Sequence, residues 1–141
     1  MNNTLGTFDV VIVGAGFSGL LCAGYLREAG VANIQIFEMT SSVGGVWAKD
    51  GVGSYPGAAC DVPSYAYLPL LDQTGFIPTK KYVTQPEISA YAESMTDYLD
   101  VRDCLRFSRK VIEAVYSEAE GGFWQITTVD SATGKDLQTV Q

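Results

Sequence analysis

The feature that most constrains this chain is a glycine turn set between a short apolar run and a helix-forming run. Residues 8–19 read Phe8-Asp9-Val10-Val11-Ile12-Val13-Gly14-Ala15-Gly16-Phe17-Ser18-Gly19. Val10–Val13 carries no polar residue, the pattern of a strand buried on both faces. Leu20–Ala29 predicts a helix stopped by Gly30. Asn33–Phe37 predicts a second strand, and Glu38 closes it near the ~20-residue offset from the turn expected of a ribose-binding acid. Strand, turn, helix, strand and acid form the unit that holds a dinucleotide.

Each residue type has a physical reason. Gly14 permits the tight turn out of the strand. Gly16 has no Cβ, so the backbone can approach a pyrophosphate. Gly19 lets the helix pack closely on the sheet. The N–H groups that open the helix, at Phe17 and Ser18, and its positive dipole end attract phosphate. The Glu38 carboxylate can accept both ribose hydroxyls and would repel a 2′-phosphate, so this site suits FAD or NAD rather than NADP.

Composition narrows the function classes. The 141 residues are one domain long, and 47% are hydrophobic, enough for a real core. The net charge is −7 with 9 basic residues, which argues against nucleic acid or an anionic membrane surface as a partner. Arg102, Arg106, Arg109 and Lys110 read as a solvated basic face. Cys22, Cys60 and Cys104 are odd in number and widely spaced, so neither a disulfide framework nor a metal site is indicated. Cys22 is read as core, and the cysteine usage suggests a reducing, cytoplasmic location. The chain has no histidine, which excludes Ser-His-Asp, Cys-His and His-ligated metal chemistry within it. Leu20 stands where a nucleophile elbow around Ser18 needs glycine. No apolar run approaches the ~18–20 residues of a membrane helix. Met1–Thr7 is a polar lead that leaves no room for a signal peptide.

Beyond the opening unit, Met39–Val83 is a long irregular stretch, and such stretches are usually functional or disordered. Its aromatics Trp47, Tyr55, Tyr65 and Tyr67 favour order. Thr84-Gln85-Pro86-Glu87 has capping-box spacing ahead of an amphipathic helix over Pro86–Leu99, with Ile88, Tyr91, Ala92, Met95 and Leu99 on one stripe. Strands are predicted at Leu105–Phe107, Lys110–Tyr116 and Phe123–Val129. Turns fall at Glu120–Gly122 and Ser131–Gly134, and a further strand begins near Leu137. This tail reads as a β-meander.

Gly44-Gly45-Val46-Trp47 and Tyr55-Pro56-Gly57-Ala58-Ala59-Cys60-Asp61-Val62-Pro63-Ser64, together with the glycine turn, resemble the N-terminal FAD domain of Baeyer–Villiger and flavin-containing monooxygenases. The resemblance covers Phe8 to Val140. It implies an α/β, Rossmann-like, three-layer FAD-binding domain of parallel sheet, helices and β-meander, incomplete at its C-terminus, over residues 8–141. It also implies that Val46, Trp47, Ala48 and Lys49 lie along the flavin and that Asp61 and Tyr67 touch it. Ala59, Cys60 and Asp61 would border the nicotinamide of NADPH. The reaction implied is NADPH-driven reduction of FAD followed by oxygenation of a ketone or other small-molecule substrate.

Two departures qualify this. Ala59 stands where the family motif often has arginine, and the loop from Trp47 to Tyr55 is a little longer than is common. The chain is also several times shorter than family members. It lacks the closing strand, a histidine-containing fingerprint, the second glycine motif and the peroxide-stabilising arginine. No residue of this chain is therefore assigned as catalytic. A non-catalytic remnant or nucleotide-binding partner subunit is the alternative; a different flavin or NAD oxidoreductase fits the second motif less well. The resemblance also implies that the outer neighbour of Val10–Val13 lies beyond Gln141. The open apolar edge then predicts self-association or a complementing fragment.

Overall fold

A computed structural model describes residues 3–4, 6–49, 55 and 57–141. Strand β1 is Asn3–Thr4, followed by β2 (Val10–Val13), helix α1 (Phe17–Glu28) and β3 (Ile34–Phe37). The β2 and β3 strands pair in parallel, from Val10 opposite Ile34 to Val13 opposite Phe37. Short helices α2 (Ser64–Tyr67) and α3 (Leu71–Thr74) precede α4 (Gln85–Tyr98). Strand β4 (Leu105–Arg106) joins the far side of β3, again in parallel. The expected meander follows as β5 (Arg109–Ser117), β6 (Phe123–Asp130) and β7 (Gln138–Val140), each antiparallel to the last.

Three layers result. Ile34 and Ile36 face the helices, where Leu20 and Ala23 of α1 meet Ile88, Tyr91, Ala92 and Met95 of α4. Phe37 faces the other way and packs with Ile126 and Val140 of the meander, flanked by Phe8, Val11 and Val111. At Gly24 helix α1 packs closely on the end of α4, because a Cβ there would press on the Leu99 side chain at 2.6 Å. Burial of the apolar stripe, at about 25 cal/mol per Å², is what holds α4 on the sheet. The Rossmann-like three-layer class expected from the sequence is the fold observed.

Several local expectations need correction. Helix α1 begins at Phe17, three residues before the expected start, and α4 begins at Gln85. Cys22 is exposed rather than core. It lies two residues beyond buried Leu20, about 200° around a helix of 3.6 residues per turn. Val10–Val13 is half-buried, and Val13 is 66% exposed. The reason is that β2 stands at the edge of its sheet, with β3 as its partner among the described residues. Thr84 makes no side-chain cap. The Glu87 carboxylate instead accepts the Thr79 amide at 2.8 Å and the Thr79 hydroxyl at 2.6 Å. The supposedly irregular stretch contains α2, α3 and a 3₁₀ turn at Gly45–Trp47. The N-terminal lead contains β1, which pairs in parallel with β7. Arg109 is buried rather than solvated, whereas Arg102, Arg106 and Lys110 are exposed as expected, with Arg102 paired to Glu93 and Asp97 at 3.0 and 2.6 Å. The loop expected to be longer than is common, Trp47–Tyr55, lies mostly outside the described residues.

Candidate functional site

The site grows from the C-terminal ends of β2 and β3, where an open parallel sheet presents its crevice. Gly14 turns the chain at φ +96°. Helix α1 then starts at Phe17, and its N-cap, Gly16, provides no side-chain cap. The first-turn amides of Phe17, Ser18 and Gly19 have no acceptor within the helix, as at any helix start. A Cβ at Gly19 would collide with the Gly14 carbonyl oxygen, so this position admits no side chain while the turn keeps its shape.

A second glycine segment folds onto the first. The Gly44 amide donates to the Ala15 carbonyl at 2.9 Å. A Cβ at Gly45, where φ is +60°, would sit 3.2 Å from the Gly16 Cα. The two backbones therefore touch without intervening side chains.

Two cavities lie beside this contact. One, of about 360 Å³, is lined by Val13, Gly14, Phe37, Glu38, Met39, Thr40, Gly45, Val46, Arg109, Lys110 and Val111. The other, of about 380 Å³, is lined by Val13, Gly14, Gly16, Phe17, Ser18, Gly19, Gly44, Gly45, Val46, Trp47 and Tyr67. They share Val13, Gly14, Gly45 and Val46, and so adjoin at the glycine turn to make up the candidate groove.

Glu38 is the buried acid of this groove, 4% exposed. One carboxylate oxygen accepts the Ala15 amide at 2.7 Å. The other accepts the Thr40 amide at 2.8 Å and the Thr40 hydroxyl at 2.9 Å. A carboxylate offers about four acceptor sites, so one remains for a ligand hydroxyl. Gripping two ribose hydroxyls requires Thr40 or Ala15 to give way.

At the other end the Trp47 indole N–H donates to the Tyr67 hydroxyl at 2.7 Å, with the rings edge-on at 6.0 Å. Phe17 stands edge-on to Tyr67 at 6.3 Å and continues the aromatic row to Tyr91 at 6.2 Å. Burial raises the Tyr91 hydroxyl above its ordinary range. It donates to the Pro69 carbonyl and serves as core.

The groove thus brings together Gly14, Gly16, Phe17, Ser18, Gly19, Glu38, Val46, Trp47 and Tyr67. Ala48 is fully buried behind it, and Lys49 is exposed. Ala59, Cys60 and Asp61 line neither cavity. Ala59 bridges to Thr84, the Cys60 amide donates to the Val83 carbonyl at 2.9 Å, and Asp61 is exposed. Sequence reading missed the wall made by Met39, Thr40, Arg109, Lys110 and Val111, whose sole local signal is that Thr40 lies two residues after the acid. No group of His, Cys, Asp and Glu among the described residues could hold a metal ion.

Comparison with known proteins agrees with this geometry. The NAD(P)-binding Rossmann-like domain family matches residues 12–75. Pentalenolactone D synthase of Streptomyces exfoliatus is 43% identical over 122 residues, 85% of this chain and 20% of that protein. A Baeyer–Villiger monooxygenase of Streptomyces coelicolor is 35% identical over 120 residues, 85% of this chain and 19% of that protein. The polycyclic ketone monooxygenase of Thermothelomyces thermophila superposes with a TM-score of 0.84 at 29% identity, covering 100% of this chain and 22% of that one. This chain spans about a fifth of the length of the curated relatives it matches. By sequence and by fold the chain is thus similar to the N-terminal part of Baeyer–Villiger monooxygenases.

Proposed function

We propose that this chain holds FAD for a Baeyer–Villiger-type monooxygenase, an oxidoreductase that uses NADPH and O₂ to oxygenate a ketone or other small organic substrate. The observation that carries this reading is the pair of adjoining cavities at an uncapped helix start, with a buried acid in one and a Trp–Tyr pair in the other. The lining fits the cofactor. Gly14, Gly16, Gly44 and Gly45 line the second cavity without side chains, which would let a pyrophosphate approach the backbone, and the Phe17, Ser18 and Gly19 amides supply donors beside a positive dipole end. Glu38 would take a ribose hydroxyl, while Met39, Thr40, Lys110 and Val111 wall the adenosine end. Val46, Trp47 and Tyr67 would flank the flavin; Ala48 backs them, and Lys49 follows at the rim. Ala59, Cys60 and Asp61 lie on the neighbouring segment, which suits a nicotinamide approaching from that side.

Bound FAD supplies the redox chemistry, accepting hydride and activating oxygen. The chain binds and orients it, and no side chain in the groove is assigned a proton-transfer role. Support from relatives is consistent: a relative in Hypomyces subiculosus is a FAD-binding monooxygenase, 49% identical over 80 residues. A steroid monooxygenase was solved with NADP bound, at 38% identity and a TM-score of 0.74.

The partners proposed are a small-molecule substrate and a further strand along the open edge of β2, from a second copy or a complementing fragment. The free cysteines Cys22, Cys60 and Cys104 suit the reducing cytoplasm, the location proposed here. No helix of the described residues is long and apolar enough to cross a membrane. Titration with FAD, followed by flavin fluorescence, tests the binding role. Saturable binding that weakens in Glu38→Ala supports it, and no binding by the parent protein sinks it.

A further inference from the structure

We propose that Gln85 is a positioning residue for the flavin end of the groove, an inference that rests on the FAD reading. Gln85 lines neither cavity. It opens α4, and its side chain reaches back across the loop layer. Its Nε2 donates to the Trp47 carbonyl at 2.9 Å and to the Ala48 carbonyl at 3.1 Å. Its backbone N–H donates to the Ala58 carbonyl at 2.8 Å. One residue thereby fastens the segments on both sides of residues 49–57.

The helix start makes this possible. The N–H of the first helical residue has no acceptor within the helix, so it is available to Ala58. Pro86 follows and fixes its own φ near −65°, which limits the freedom of the first turn. The residues before Gln85 continue the same pattern. The Ser64 amide donates to the Lys81 carbonyl at 2.7 Å, and the Val83 amide to the Ser64 hydroxyl at 2.9 Å. The Cys60 amide donates to Val83, and Ala59 bridges Thr84. Residues 81–85 are a spine on which the second motif and the start of α2 hang. Gln85 extends that spine to Trp47.

Trp47 is consequently held at two points. Gln85 fixes its carbonyl, and Tyr67 fixes its indole N–H. Tyr67 itself ends α2, whose first residue is anchored to the same spine. The wall of the second cavity therefore takes its orientation from a residue outside it. An amide is required for this: it presents two donors, whereas a carboxylate presents none and would face two carbonyl oxygens.

The test uses Gln85→Met and Gln85→Glu in a Trp124→Phe background, where Trp47 is the sole indole. Gln85→Glu is included because a carboxylate at a helix N-terminus favours the helix. Two readouts are taken: iodide quenching of Trp47 without FAD, and FAD titration with the visible circular dichroism of the bound flavin. Expected are parent-like far-UV spectra, stronger quenching of Trp47, FAD affinity weaker by about tenfold from two lost hydrogen bonds, and an altered flavin band. Unchanged quenching in a folded variant overturns the proposal, and so does unfolding of both variants, which would make Gln85 a folding residue. If the parent binds no FAD, the FAD reading fails by itself, and Trp47 quenching still decides whether Gln85 positions the wall.

Discussion

The carboxylate of Glu38 accepts the backbone amide of Ala15 at 2.7 Å, so the acid at the end of β3 closes the turn at the end of β2. This makes Glu38 a structural residue as well as a ligand candidate. Its other oxygen holds Thr40 twice, and both residues line the first cavity.

Glu38→Ala should therefore destabilise the protein before any cofactor is added. It strips the acceptor from a buried amide, at a cost of about 1–3 kcal/mol. Thermal melting without FAD measures this, and flavin titration measures the loss of ligand affinity separately. A variant that melts like the parent and loses FAD affinity would make Glu38 a ligand residue alone.

The glycines of the turn differ in what they exclude. Gly19→Ala puts a Cβ into the Gly14 carbonyl, so the turn must open. A cost at the upper end of the ~1–3 kcal/mol range for overpacking is expected, together with loss of flavin binding. Gly30→Ala meets no atom within 4 Å and has φ +92°. It should cost about 1–2 kcal/mol from backbone strain and leave flavin affinity near that of the parent. Equal flavin loss in both variants would misplace the phosphate loop.

Acid should loosen the contact between α1 and the turn before β4. Arg27 donates to Asp103 at 2.7 Å, and this pairing holds the Asp103 carboxyl below its ordinary range. A lowered folded-state value means stabilisation that is present above the unfolded value of ~3.9 and is lost as pH falls through the lower folded value. Asp103 is 71% exposed, so the contribution is at most about 1 kcal/mol. Melting the parent and Asp103→Asn from pH 2 to 6 should show a gap at the top of that window that closes toward its bottom. A gap independent of pH would remove the ion pair as its cause.

The opening unit was legible because its signals are local. Val10–Val13 is uniformly apolar, Gly14 to Gly19 is short, and Glu38 follows at the expected offset. The stripe Ile88, Tyr91, Ala92 and Met95 was likewise visible from its period. What escaped reading is set by contacts between distant residues. Glu87 chose Thr79 over its own helix end, which spacing alone cannot reveal. Cys22 was misjudged because α1 buries Leu20, Ala23 and Gly24 while Cys22 lies on its opposite side. Arg109 and Lys110 join the wall of the site because β5 returns beside β3, and nothing in their immediate neighbours signals it. Gln85 carries no mark of its role until the carbonyls of Trp47 and Ala48 are seen above it.

Arg109 supplies the last prediction, because it couples the acid to the meander. Its backbone N–H donates to the Glu38 carbonyl at 2.9 Å. Its guanidinium reaches Thr128 through the hydroxyl at 2.8 Å and the carbonyl at 3.0 Å. It also reaches Asp136 through the carboxylate and the carbonyl, both at 2.8 Å. These partners lie in different directions, and a planar fork serves them together where a single ammonium cannot. Arg109→Lys should therefore cost about 1.5–3 kcal/mol, the range for hydrogen bonds to charged groups. It should also weaken FAD binding, since the residues beside Glu38 lose their anchor. Asp136→Asn should cost less, because the Asp136 side chain is 61% exposed and its carbonyl still accepts Arg109. Urea denaturation of both variants gives the ordering. If Arg109→Lys is as stable as the parent, or Asp136→Asn proves the worse of the two, the fork is not what joins the meander to the site.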